Sequence, residues 1–231
     1  MKTVKLVAAM LACAALYACD ANVVPVEEGA DARGQTAPTA TTISSNRAVL
    51  QELPFADDQD FVDARRGFIA APDNIAVAGP TGELIWDTGS YAFIQGEAPA
   101  SANPSLWRQE QLNNIHGLFE VTPGIHQLRG FDLANMTLID SDNGWIVVDP
   151  LTAEETAAAA LAFARAQLGN KPVTAIIFTH SHVDHFGGVQ GVIDLDPGGT
   201  VPVPVIAPAG FMAAATSENM IAGPTMGPVS Y

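Results

Sequence analysis

The chain has 231 residues, a formal net charge of −15 and an isoelectric point near 4.4. An acidic chain of this kind repels polyanions at long range, which argues against a nucleic-acid partner. Its hydrophobic content of 48% is compatible with the packed core of one domain of ordinary size.

The first 19 residues have the pattern of a secretory signal peptide. Lys2 and Lys5 give a basic start, and an uncharged apolar run too short to span a bilayer stably follows them. Cys19 comes after Leu-Tyr-Ala, a sequence similar to the lipobox of bacterial lipoproteins, and is the expected lipidation site. The bulk of Tyr17 leaves a plain cleaved signal open, and a buried helix is the less favoured alternative. We expect an exported bacterial protein, either periplasmic or anchored to the membrane as a lipoprotein.

The composition changes after the leader. Residues 20–50 are rich in Ala, Thr, Ser and acidic side chains and lack apolar periodicity, which predicts a flexible tether. Residues 51–231 are expected to form one domain. Both cysteines, Cys13 and Cys19, lie in the leader, so the predicted domain has neither a disulfide nor a thiolate metal ligand.

Turn and capping residues predict the first elements of this domain. Thr81-Gly82 has turn chemistry and predicts a β-hairpin. Asn103 followed by Pro104 predicts a helix start, with Asn as the N-cap and Pro at the first helical position. Three β-like runs follow this helix, and a tight turn separates the last two.

The next segment predicts a strand, a helix and a further strand in succession. Thr152 and Glu155 form a candidate capping box at the start of an alanine-rich helix, and Gly169 is the expected stop signal. The apolar run at 173–179 is typical of a buried strand in an α/β sheet. This order predicts a layered α/β architecture.

The stretch THSHVDHFGG follows this strand and contains four potential metal ligands. They are His180, His182, Asp184 and His185, which lie within six positions. Side chains alternate along a strand, so His180 and His182 are expected to converge on one cation. After the chain turns, Asp184 and His185 are expected to face a second cation.

Histidine and carboxylate ligands without cysteine favour zinc, although Mn²⁺ and Fe²⁺ also suit this ligand set. Two cations about 3.5–4 Å apart share a water and lower its pKa, which makes a metal-bound water the expected catalytic group. Gly187 and Gly188 are expected to let the backbone turn closely around the site. The less favoured interpretations are a single structural zinc and a polar loop in which histidines cluster by chance.

The pattern H-x-H-x-D-H resembles the metallo-β-lactamase superfamily. The stretches FVDARRGFIA, NPSLWRQEQLNNIHGLFEVTPGIHQLRGFDLANMTLID, VVDPLTAEETAAAALAFAR and VTAIIFTHSHVDHFGGVQGV resemble the linear alkylsulfatases of that superfamily, which are related to bacterial SDS hydrolases. The resemblance covers roughly residues 60–223. It implies an α/β fold of the metallo-β-lactamase αββα sandwich type, and a sulfuric ester hydrolase that cleaves alkyl sulfates such as dodecyl sulfate.

The resemblance also implies roles for individual residues. His180 and His182 would bind the first of two zinc ions, and Asp184 and His185 would bind the second. Asp149 would orient the ligand loop from behind the metals, with an ordinary turn-forming Asp-Pro as the alternative.

Other polar residues are weaker candidates. His116 and His126 lie far upstream of the motif and are expected to be core or surface histidines rather than ligands. Glu218 and Asn219, in SENMIAG, line the site entrance or cap a helix, and the sequence favours neither.

In the resembled family, two glutamates and a further histidine downstream complete the metal site, and a dimerisation domain follows. This sequence has no histidine after His185, so we expect an N-terminal fragment with half of a metal centre and without the region that forms the family homodimer. Two alternatives stay open. One is another hydrolase of the superfamily, such as a thioesterase or lactonase, and the other is an inactive, exported metal-binding protein.

Overall fold

The computed structural model describes residues 35–193 and 203–221. Its helices are, in chain order, α1 (Ala40–Glu52), α2 (Gln59–Ala64), α3 (Pro104–Asn113), α4 (Glu154–Leu168) and α5 (Phe211–Ile221). Its strands are β1 (Phe68–Ala70), β2 (Ala76–Ala78), β3 (Leu84–Asp87), β4 (Gly117–Thr122), β5 (Ile125–Arg129), β6 (Met136–Ser141), β7 (Gly144–Val148), β8 (Val173–Ile177) and β9 (Val205–Ile206). The predicted signal peptide, including Cys19, lies outside the described residues. No helix within the described ranges is long and apolar enough to cross a membrane.

A mixed sheet organises the fold. Its seven strands follow the order β1-β4-β5-β6-β7-β8-β9, and β2 pairs with β3 in a separate hairpin. The pairs from β1 to β7 are antiparallel, whereas β7-β8 and β8-β9 are parallel. The parallel pair β7-β8 is connected through α4, as the predicted strand–helix–strand succession requires.

One face of the sheet carries the core. Apolar side chains of β5 to β8 are buried there, and the apolar stripe of α4 and the β2-β3 hairpin pack against them. On the other face, Thr137, Ile139 and Ile146 are only partly buried. The layered α/β prediction is therefore confirmed, with a helix and a hairpin on the buried face of a central sheet.

Several local predictions are confirmed. Thr81 and Gly82 lie in the turn between the antiparallel strands β2 and β3. Asn103 caps α3 by accepting hydrogen bonds from the backbone N–H groups of Ser105 and Leu106, and Pro104 is the first helical residue. The strand expected in the apolar run at 173–179 is present as β8.

The predicted tether is wrong at its C-terminal end, because α1 occupies residues 40–52. Thr39 caps this helix by accepting a hydrogen bond from the N–H of Thr42. The Asn46 side-chain amide donates to the Ala100 carbonyl at 2.9 Å, which fixes the helix to the domain. The absence of apolar periodicity in this segment reflects a helix with no buried residue rather than a flexible chain.

The predicted capping box at Thr152 and Glu155 is also wrong. Helix α4 begins at Glu154, and its N-cap Ala153 makes no side-chain capping bond. The buried carboxylate of Asp132 instead holds the residues that lead into the helix. It accepts hydrogen bonds from the N–H of Thr152 at 3.1 Å, from the Thr152 hydroxyl at 2.6 Å, and from the Thr156 hydroxyl.

The glycines of the motif lie where the chain packs closely on other backbone atoms. Neither Gly187 nor Gly188 has a positive φ. A Cβ at Gly188 would lie 2.3 Å from the Pro150 carbonyl oxygen and 2.8 Å from Ala157 Cβ. The glycines therefore allow the segment after the motif to pack closely on the start of α4.

Replacing Asp132 with Ala is expected to destabilise the protein by about 2–4 kcal/mol, because several buried donors and the start of α4 lose their acceptor. Urea unfolding followed by circular dichroism measures this change. Asp142→Ala, at an exposed turn position, is the matched control and is expected to have little effect. Equal unfolding free energies for the two variants would contradict the assigned role of Asp132.

Candidate metal centre

The predicted ligands lie where two parallel strands end side by side. Strand β7 ends at Val148 and is followed by Asp149, and the motif follows β8. The Asp149 N–H donates to the Ile177 carbonyl at 3.0 Å, which extends the β7-β8 ladder by one bond. Because parallel strands present their carboxyl ends at the same edge, this ladder brings Asp149 next to the motif.

Asp149 has an unusual backbone conformation. Its φ is 54° and that of Leu151 is 64°, a left-handed region that non-glycine residues rarely adopt. Such a conformation costs about 1–3 kcal/mol and persists only where the surroundings hold it. Asp149 is buried, with 7% of its surface exposed. Its carboxylate accepts hydrogen bonds from the Thr179 N–H at 2.8 Å and from the Thr179 hydroxyl at 2.7 Å.

The same carboxylate determines how two histidines are oriented. His185 Nδ1 lies 2.8 Å from Asp149 Oδ2 and donates to it. The Thr179 hydroxyl uses its one hydrogen on Asp149, so its oxygen accepts from His180 Nδ1 at 2.9 Å. A neutral imidazole has a single N–H, and both rings therefore present a free Nε2 lone pair.

Two of these donors have the spacing of ligands on one cation. His185 Nε2 and Asp184 Oδ2 are 3.2 Å apart. Two ligands bound tetrahedrally at roughly 2.0–2.1 Å lie about 3.3 Å from each other. With Nδ1 donating to Asp149, the Nε2 lone pair of His185 lies beside the Asp184 carboxylate oxygen, as two ligands of one cation do.

The three motif histidines are close neighbours. The His180 ring centroid lies 4.1 Å from that of His185 and 4.7 Å from that of His182. His182 Nε2 lies 3.2 Å from Glu218 Oε1 on α5. The nitrogen and oxygen donors present are the types that zinc takes, so this residue set fits the metal that the sequence predicts.

One grouping differs from the predicted ligand set. Ligand atoms from Asp149, His180 and His185 lie within 4.8 Å of one another, which makes Asp149 a potential ligand in place of an orienting residue. Its Oδ1 already accepts from the Thr179 N–H, and its Oδ2 accepts from the Thr179 hydroxyl and His185. These bonds favour the orienting role that the sequence predicts.

The remaining histidines have other environments. His116 has its two ring nitrogens 3.0 and 3.1 Å from the carbonyl oxygens of Asn114 and Pro72. His126 is buried on β5, and its Nδ1 has no hydrogen-bond partner among the described residues. Glu218 contacts His182 of the motif, whereas the sequence favoured neither of its two candidate roles, lining the site entrance or capping a helix. The sequence gives no sign of its contact with His182, because the two residues are 36 positions apart.

The family model of the metallo-beta-lactamase superfamily matches residues 129–228, a range that contains Asp149 and the whole motif. A solved structure, the stereoselective inverting sec-alkylsulfatase from Pseudomonas sp., superposes with a TM-score of 0.73 at 48% identity, covering 80% of this chain. Residues 129–228 thus match a metallo-β-lactamase domain. This match and the superposition confirm the predicted fold class.

The chain is also similar to alkylsulfatases over most of its length. It is 47% identical over 189 residues to an (R)-specific secondary-alkylsulfatase and 49% identical over 196 residues to a linear primary-alkylsulfatase, both from Pseudomonas sp.. It is also 43% identical over 187 residues to an alkyl/aryl-sulfatase of Saccharomyces cerevisiae. These matches cover 80–83% of this chain but 28–29% of the relatives. The resemblance that the sequence indicates is thus confirmed.

The orienting role of Asp149 predicts that Asp149→Asn weakens zinc binding by roughly 10–100-fold. Asparagine tolerates a left-handed backbone but cannot accept from three donors as the carboxylate does. Titration of the chain with zinc in competition with a chromophoric chelator measures the change, and Asp142→Asn is the control. An unchanged affinity would contradict this role.

Proposed function

We propose that this chain carries part of the active site of a zinc-dependent alkylsulfatase, which hydrolyses linear alkyl sulfate esters to an alcohol and sulfate. The observation that carries the proposal is the 43–49% identity to three alkylsulfatases over the segment that contains the histidine cluster. The geometry supports it, since Asp149 holds two of the histidines with Nε2 free.

In this proposal His180 and His182 hold one zinc ion, and Asp184 and His185 hold the other. When bound, the two ions supply an activated water and stabilise the negative charge that develops on the ester. The protein residues fix the positions of the donors. Asp149 and Thr179 orient the rings of His180 and His185 from the buried side of the site.

The electrostatics of the site suit an anionic substrate only when cations are present. The chain has a formal net charge of −15, and Asp149, Asp184 and Glu218 lie at the histidine cluster. Bound cations are the largest local charges in such a site and reverse the sign that an anionic head group meets. Alkyl sulfate binding is therefore expected to require the metal.

The four motif residues are fewer than a dinuclear site needs. Two zinc ions take about seven or eight ligand positions, counting water. We therefore expect the 231-residue chain by itself to bind zinc weakly and to turn over slowly.

A chimera tests whether these residues form an alkylsulfatase site. The aligned segment of the Pseudomonas linear primary-alkylsulfatase is replaced by the matching segment of this chain, and sulfate release from dodecyl sulfate is measured by ion chromatography. The chimera is expected to release sulfate in the presence of zinc. The same chimera with His185→Ala is expected to lose at least about 100-fold in rate, because one ion loses a ligand.

Other substrates distinguish the alternatives. An acyl thioester and a lactone test for a thioesterase or lactonase, and a secondary alkyl sulfate tests preference for linear primary esters. A folded chimera that cleaves the thioester but releases no sulfate would contradict the proposal. A folded chimera that binds zinc but cleaves none of these substrates would favour a metal-binding protein without activity.

A further inference from the structure

Helix α5 is docked against both ends of the ligand loop. Phe178 immediately precedes the motif's Thr179, and Phe186 follows His185. The ring of Phe211, the first residue of α5, lies 5.4 Å from that of Phe178 and 5.2 Å from that of Phe186. Aromatic pairs at such distances stabilise a contact beyond the burial of their surface. The start of α5 is thereby fixed relative to the motif.

The spacing along α5 directs Glu218 toward the same loop. Glu218 comes seven residues after Phe211, which is close to two helical turns, so the two side chains share one face. Ala215, between them on this face, is buried. Glu218 Oε1 consequently lies 3.2 Å from His182 Nε2.

His182 differs from the other two motif histidines in how it is held. Asp149 contacts His185 directly and His180 through Thr179, in each case at Nδ1. Glu218 contacts His182 at the opposite ring nitrogen, Nε2. A carboxylate beside a ring nitrogen favours the tautomer with the proton on that nitrogen and makes the other nitrogen a better ligand.

We propose that Glu218 is a positioning residue for His182, whose ring it holds through Nε2. This inference rests on the metal centre of the proposed function. It gives the site two orienting carboxylates, Asp149 from the end of β7 and Glu218 from α5.

Zinc titrations of the 231-residue chain test this role with three variants. Glu218→Ala is expected to weaken zinc binding by about 10-fold or more, because His182 loses its orienting partner. Glu218→Gln is expected to keep most of the affinity, since its amide oxygen still accepts from Nε2–H. Met220→Ala changes an exposed residue of the same helix and is expected to leave the affinity unchanged.

Each other outcome overturns a specific statement. Equal affinities for the wild type and Glu218→Ala would overturn the role of Glu218. An equal loss of zinc affinity in Glu218→Gln and Glu218→Ala would also overturn it. Such a result would mean that the negative charge is needed, as in a direct zinc ligand, whereas an orienting group needs only an acceptor oxygen. A wild-type chain that binds no zinc would overturn the proposed metal centre and this inference together, a result distinct from the first two.

A second measurement applies if Glu218→Ala alters the far-ultraviolet circular dichroism and therefore the fold. Long-range ¹H–¹⁵N correlation spectra of the metal-free wild-type chain identify the ring nitrogen of His182 that carries the proton. A proton on Nε2, beside Glu218, is the expected result. A proton on Nδ1 alone would overturn the inference, because Glu218 would then not hold the ring through Nε2.

Discussion

The hydrogen bonds of the Asp149 carboxylate determine the arrangement of the histidine cluster. The residue takes a left-handed backbone conformation directly after β7, and its carboxylate reaches the first residue of the ligand loop and one of its histidines. Strain of about 1–3 kcal/mol at this position is offset by hydrogen bonds to a charged acceptor, which stabilise by about 1.5–3 kcal/mol each. The parallel pairing of β7 and β8 is what places the two segments side by side.

Helix α4 and the loop before it depend on a second buried carboxylate. Asp132 holds the segment after Asp149 by accepting from both the backbone and the hydroxyl of Thr152. Gly188 then packs on the Pro150 carbonyl and on α4 without room for a Cβ. The turn after β7 is therefore held from two sides, and this fixes the direction in which the Asp149 side chain points.

The sequence predicted the elements whose signals are local. The strand–helix–strand order, the Asn103 cap and the four candidate ligands of the motif were all visible as short patterns, and the structure has the helix and strands where these patterns place them. Strand β4 and helix α1 were not predicted. The Asp132 and Glu218 contacts were missed because each joins residues more than 15 positions apart, and a single sequence carries no signal for such pairs.

The orienting network predicts an uncommon state of two rings, because free neutral imidazoles favour the proton on Nε2, whereas His180 and His185 here donate through Nδ1. Long-range ¹H–¹⁵N correlation spectra of the metal-free chain at a pH where the rings are neutral read this directly. The contacts with Asp149 and Thr179 predict Nδ1–H tautomers for His180 and His185 in the wild type. Nε2–H tautomers at both residues would contradict it, since Asp149 would then not orient the site.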